Sequence, residues 1–295
     1  MPPHRPTPQL PEHLESLYRA FPFGRSLAED PISAVRPLAR DARSAEVAAV
    51  FAAILAVGNT TAIRGSVGRL AAIADGDFGR FVARTTPAER SRRLSSFRHR
   101  WIRGDQVDYL ARVLAEYYTE HASLEEAFLG GFSDGGFARG VDALARTLRG
   151  EARERQLGPA PAGYRALFPS PLEAPRSPCK RLTLFLRWMV RQRYPDLGLW
   201  HQVPAGELRV PLDLHVHWIA YHIGLTARKT RSWATVEEVT EALRRIDPLD
   251  PIRFDFVLCH TGISGDCPKE RDLSVCGPCT LRPDCLMWRG RRGAS

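Results

Sequence analysis

From Ala45 to Val57 the chain reads AEVAAVFAAILAV, and no other stretch constrains the fold as strongly. Wound into an α-helix, the segment is apolar on every side, so it belongs in an interior with neighbours all around it. Its longest apolar run, Val47 to Val57, is only about half of the roughly 20 residues a membrane-spanning helix needs. The run stops at Gly58, and GNTTAIRGSVGRL follows as a polar turn into another helix. A second periodic segment, WATVEEVTEALRRI, places Val236, Val239, Leu243 and Ile246 at helical spacing. Thr235 with Glu238 forms a capping-box pattern at its start, and Asp247-Pro248 ends it. Sustained alternation and hairpin turns are nearly absent, so the fold class is all-α. At 295 residues the chain is long enough for one large domain or two smaller ones.

Two stretches interrupt the helical pattern. Residues 1–13 are proline-rich and poor in apolar side chains, and read as a disordered lead-in without the apolar core of a signal peptide. Residues 156–178 are also proline-rich, and fit either an interdomain linker or an ordered loop that delivers the next helix. The expected setting is the cytoplasm, where disulfides are rare.

That setting matters for CPKERDLSVCGPCTLRPDC, which holds Cys267, Cys276, Cys279 and Cys285, four of the six cysteines in the chain. A CxxC pair with two flanking cysteines is a metal-binding pattern there, and thiolates suit both tetrahedral zinc and iron–sulfur. A metal would staple a terminal segment too short to have its own core. Lys269, Arg271 and Arg282 lie on the same loop, and the chain carries a formal charge of +9, which favours a polyanionic partner.

Two further positions stand out. Lys180 and Arg181 open the helix KRLTLFLRWMVRQR, where the helix dipole disfavours cations. They fit a nearby phosphate, or side chains that simply extend into water. In VPLDLHVHWIAYHIGL, Asp213 stands at the N-cap of a helix that Gly224 terminates.

Taken together, these pieces resemble the helix-hairpin-helix DNA glycosylase superfamily, which includes endonuclease III, the adenine glycosylases and the archaeal 8-oxoguanine glycosylases. VPLDLHVHWIA is similar to the segment carrying the catalytic aspartate, which falls on Asp213. CKRLTLFLRWM is similar to the helix that presents the nucleophilic lysine of the bifunctional members, which falls on Lys180. The spacing C-x8-C-x2-C-x5-C resembles the endonuclease III cluster loop, with its first gap two residues longer. AVFAAILAVGNTTAIRGSV resembles the helix and turn pushed into the duplex, making Asn59 a wedge or base-probing candidate. The superfamily's Gly-x-Gly before the lysine helix is replaced by Ser177-Pro178-Cys179, so the hairpin is rebuilt here. Leu214 and Trp218 stand where a threonine and an arginine are usual.

The resemblance implies a two-domain helical fold with a C-terminal four-cysteine metal loop. Residues 43–210 would form a helical barrel with the wedge turn and the lysine helix, and 14–42 plus 211–295 a second helical domain, with the active site in the cleft between them. The implied activity is a DNA glycosylase with AP lyase chemistry on double-stranded DNA carrying a damaged base, from a monomer with a [4Fe-4S] cluster or, as the alternative, zinc. A non-catalytic DNA-binding protein on the same scaffold is the rival. Lys180 would attack C1′, Asp213 would stabilise the oxocarbenium-like sugar, and Arg181 would join the loop cations on phosphate. Phe97, Trp101 and Trp188 are the candidates for stacking on a base turned out of the duplex. Lys180 must be neutral to attack, so its pKa has to fall from about 10.4, and a helix N-terminus, Arg181 and partial burial all act in that direction.

Overall fold

The structure is a computed structural model that describes residues 5–289. Its helices are, in chain order, α1 Leu10–Ala20, α2 Phe23–Glu29, α3 Ile32–Val35, α4 Ala42–Leu55, α5 Thr60–Ile73, α6 Phe78–Arg84, α7 Pro87–Leu94, α8 Gly104–Tyr117 and α9 Leu124–Leu148. They continue with α10 Glu154–Leu157, α11 Lys180–Val190, α12 Leu214–His222, α13 Trp233–Arg244, α14 Asp255–Ile263, α15 Leu273–Cys276 and α16 Leu286–Arg289. The one sheet among the described residues is a two-stranded antiparallel hairpin, β1 Arg98–His99 with β2 Ile102–Arg103. The expectation of a mostly helical chain therefore holds. Among the described residues no helix is long and apolar enough to cross a membrane.

The chain divides into two compact units. The larger comprises Gly24–Ala174 and Arg181–Pro204. At its centre lies α4, with every residue from Ser44 to Leu55 buried. It packs against α3, α5 and α6. The single buried charge in that helix, Glu46, takes four donors. Tyr118 Oη and Trp200 Nε1 each donate at 2.5 Å, Ser123 Oγ at 2.7 Å and the Leu124 N–H at 3.0 Å. A buried carboxylate is tolerable only when its lone pairs are filled, and here one side chain ties α4 to three later segments. Asp196, also buried, is held by Arg191 at 2.6 Å and Arg187 at 3.3 Å. Residues 156–174 are an ordered loop of this unit: Tyr164, Leu167 and Phe168 are buried, and Tyr164 Oη donates to the Leu148 carbonyl at 2.6 Å. That loop is therefore no flexible linker. α9 is interrupted at Gly136, whose φ of 73° breaks it into two helical stretches.

The smaller unit comprises the chain up to Phe23, Pro175–Lys180 and the chain from Ala205. α12 and α14 form its closest-packed pair. Gly262 allows that approach, because a Cβ there would stand 2.5 Å from the Cβ of His215. Leu10 and Leu14 of α1 are fully buried, so the lead-in expected over 1–13 is helical from Leu10 onward; residues 1–4 lie outside the described residues. The two leucines sit one turn apart and supply an apolar face that the surrounding prolines hid in the sequence. After Leu258, the only buried apolar side chain among the described residues is Leu281. The C-terminal loop therefore has almost no hydrophobic core of its own.

Candidate active site and metal centre

Asp213 caps α12 from an extended conformation, and its Oδ1 accepts the Val216 N–H at 2.8 Å. The Asp213-Leu214 step thus starts the helix where the sequence places it. The other oxygen, Oδ2, faces Lys180 Nζ at 3.5 Å and Cys259 Sγ at 3.4 Å. Lys180 is the first residue of α11 and follows Cys179, a buried residue with a φ of 50°. This is a left-handed conformation that glycine adopts without strain and cysteine does not. It stands where the sequence lacks the hairpin glycines, so the backbone makes a glycine-like turn with a side chain that is fully buried. Asp255 and Cys259 lie one turn apart on α14 and both act on Lys180. The side chains of Lys180 and Asp213 keep 30% and 12% of their exposure.

The electrostatics of this group correct one expectation. Burial alone would lower the Lys180 pKa, but the charges of Asp213, Cys259 and Asp255 outweigh it and hold the lysine above its ordinary value. Burial likewise pushes Asp213 up, and Lys180, the Val216 N–H, Cys259 and His215 together bring it below the usual carboxylate range. At rest the pair is ammonium and carboxylate. The helix terminus and Arg181 do not decide the matter, because opposite charge within a few ångströms favours the charged form more strongly.

The four loop cysteines surround one cavity of about 470 Å³, counting the part open to solvent, together with Ile219, Ile223 and Trp288. Burial, then Cys285, Cys279 and Cys276, push the Cys267 thiol up to about 12. Burial raises Cys279 and Cys285 as well. Cys267, Cys279 and Cys285 are thus disfavoured as thiolates, and a cationic centre would offset that. As the side chains stand, no group of three or more His, Cys, Asp or Glu among the described residues could hold a metal ion. Trp218 Nε1–H is buried beside Cys267 and acts on it in favour of the thiolate.

The loop cations are exposed. Arg271 lies over the Trp288 ring at 3.7 Å and Arg282 at 5.1 Å, and Arg282 Nη1 also donates to the Gly277 carbonyl at 2.9 Å. Lys269 is exposed on the same loop. Buried Asp284 fastens the loop to the N-terminal segment, accepting from Thr7 and pairing with His13 Nδ1 at 2.7 Å.

In the larger unit, Asn59 is the exposed N-cap of α5, its Oδ1 accepting the Ala62 N–H at 2.8 Å. Trp101, at the hairpin tip, is 51% exposed. A buried polar chain that the sequence did not reveal joins β1 to α5 and to the turn before it. His99 Nε2 donates to the Val57 carbonyl at 3.0 Å, and its Nδ1 accepts from Ser66 Oγ at 2.8 Å. The carbonyl can only accept, so it fixes the tautomer. Burial holds the His99 pKa below its ordinary value, which keeps the ring neutral. Phe97 and Trp188, expected as stacking residues, are 5% and 0% exposed and belong to the core, with no ring face open to a base. Arg181 also differs from expectation, since its Nη2 donates to the Ala166 carbonyl at 3.1 Å.

Residues 30–264 match the family described as protein of unknown function, DUF2400. The chain belongs to that family. No curated protein and no solved structure matches it.

Proposed function

We propose that this chain is a DNA base-excision glycosylase with AP lyase activity, acting on double-stranded DNA that carries a damaged base, with oxidised guanine the first lesion to test. The observation that carries the reading is the 3.5 Å approach of Lys180 Nζ to Asp213 Oδ2 at the cap of α12, with both side chains partly open to solvent. In the reaction Lys180 passes a proton to Oδ2 and its free amine attacks C1′ of the damaged nucleotide. The bond from C1′ to the base nitrogen breaks, the base leaves with the bonding electrons, and a proton returns to it from Asp213 or water. The C1′–O4′ bond then breaks, O4′ taking a proton as the sugar ring opens, which leaves a Schiff base between C1′ and Lys180; loss of a C2′ proton then permits β-elimination, which breaks the bond from C3′ to oxygen. Once Asp213 has given that proton up to the departing base it is ionised again, and it stabilises the positive charge left at C1′ from a fixed position. The two units would be the two domains of the helix-hairpin-helix arrangement, in a monomer working in the cytoplasm.

The four cysteines would hold a [4Fe-4S] cluster, with zinc as the alternative, whose contribution is to cross-link the loop. The residues of the loop do the rest. Lys269, Arg271 and Arg282 present charge to phosphate, and Asn59 and Trp101 meet the helix and the unstacked base.

One observation favours a second reading, a DNA-binding protein on this scaffold without catalysis: the resting Lys180 is held as the ammonium, which is no nucleophile. Incubating the protein with duplexes bearing different lesions separates the two. Strand scission by wild type, lost by about a hundredfold or more in Lys180→Ala and Asp213→Asn, supports the enzyme. Salt-sensitive duplex binding without scission on any lesion supports the second reading.

A further inference from the structure

We propose that Cys259 is a positioning residue for the Asp213 carboxylate, its thiol holding the same oxygen that Lys180 addresses. This rests on the glycosylase reading for its role in turnover. The contact itself is independent of that reading.

The geometry is that of a carboxylate fixed at three points. Oδ1 is occupied by the Val216 N–H at 2.8 Å, and Oδ2 receives Lys180 at 3.5 Å and Cys259 Sγ at 3.4 Å. With only the backbone bond and the lysine, the carboxylate would follow Nζ whenever Lys180 moved to engage a sugar. The thiol comes from a different helix, α14, whose distance from α12 is fixed at Gly262 against His215. It therefore keeps Oδ2 in place when the lysine leaves it.

The choice of donor also has a consequence. A thiol is a weak donor, so it orients the oxygen while leaving it basic enough to take the lysine proton. A hydroxyl at the same position would bind Oδ2 more strongly and make it a poorer base. The groups that face Asp213 are Lys180 at the start of α11, His215 of its own helix and Cys259 of α14, and Asp255 of α14 faces Lys180.

The test combines turnover with a direct titration. In Cys259→Ala, kcat on an abasic duplex falls by about threefold to tenfold with KM unchanged, and the acid limb of the pH profile moves to higher pH. Cys259→Ser recovers most of kcat and moves the acid limb to lower pH. Independently, 13C-carboxyl NMR of the full chain, with the Asp213 signal assigned by its loss in Asp213→Asn, shows the carboxyl of Cys259→Ala titrating at higher pH than wild type. An Asp213 titration unchanged in Cys259→Ala overturns the proposal. So does a loss of kcat that Cys259→Ser does not recover and that tracks a fall in Tm, since that is the signature of a packing residue. A wild-type protein that neither nicks nor traps on any lesion removes the glycosylase reading, and the NMR titration still decides whether Cys259 holds Asp213.

Discussion

The larger unit and the C-terminal loop of the smaller unit solve the same problem by opposite means. Around α4 the chain buries apolar side chains on every face and fills the one charge among them, Glu46, with four donors. From Cys259 to Arg289 it buries a single apolar side chain, Leu281, and gathers four cysteines around a cavity instead. In the first region the buried charge is met by the chain's own donors. The second holds thiols that raise one another's pKa around a shared cavity. The lesson is that one chain can order one region by packing and place another around clustered polar side chains.

The largest effect that could break this contrast is expected at Glu46. Glu46→Ala strands the Tyr118, Ser123 and Trp200 donors in the interior and should cost the larger unit about 3–5 kcal/mol. Denaturant unfolding followed by Trp200 fluorescence measures it. A cost under about 1 kcal/mol would mean that the network is ornamental. Next comes the loop. Replacing Cys276 and Cys279 together by serine should abolish the iron and sulfide content and the brown absorbance of anaerobically purified protein. Protease cleavage between residues 264 and 289 should then become about tenfold faster or more, with the unfolding of the larger unit unchanged. Zinc in place of iron would change the cofactor and keep the contrast.

A smaller effect separates capping from ion pairing at Asp213. Asp213→Ala removes both and should cost about 1–2 kcal/mol, whereas Asp213→Asn keeps a good cap and removes only the charge. The wild-type pH dependence has a definite sign. Asp213 is held below its ordinary pKa, so its stabilisation is present above about pH 3.9 and is lost as pH falls through the folded value. Lys180 is held above its ordinary pKa, so its share is present below about pH 10.4 and is lost as pH rises through the folded value. Asp213→Asn should flatten the stability curve at both ends. The smallest effect belongs to His99, whose pKa is lowered chiefly by burial. Its contribution is complete above about pH 6.5 and is lost as pH falls through the folded value, and His99→Gln should remove that part of the slope.

The sequence revealed what local chemistry decides. All-round burial of α4 followed from composition, and the cap at Asp213 followed from residue type next to a helical pattern. The four cysteines share a cavity largely because they share a short loop. What it hid depends on neighbours distant in the chain. Lys180 gains its charge partners from residues 213, 255 and 259, so its raised pKa could not be read from its own turn. Phe97 and Trp188 are aromatic and helix-adjacent in sequence, and only packing reveals that their faces are closed. The capping box expected at Thr235 is absent for a similar reason. The helix begins at Trp233 after Ser232, and the buried Thr235 hydroxyl donates to the Thr230 carbonyl at 2.6 Å instead.

Borohydride trapping with peptide mapping tests the central claim most directly. Wild-type protein incubated with a duplex containing an abasic site or a damaged base, then reduced, should yield one covalent adduct whose sugar remnant maps to Lys180. The adduct should be absent in Lys180→Ala. An adduct on any other residue, or none with every lesion despite intact metal loading and duplex binding, contradicts the account.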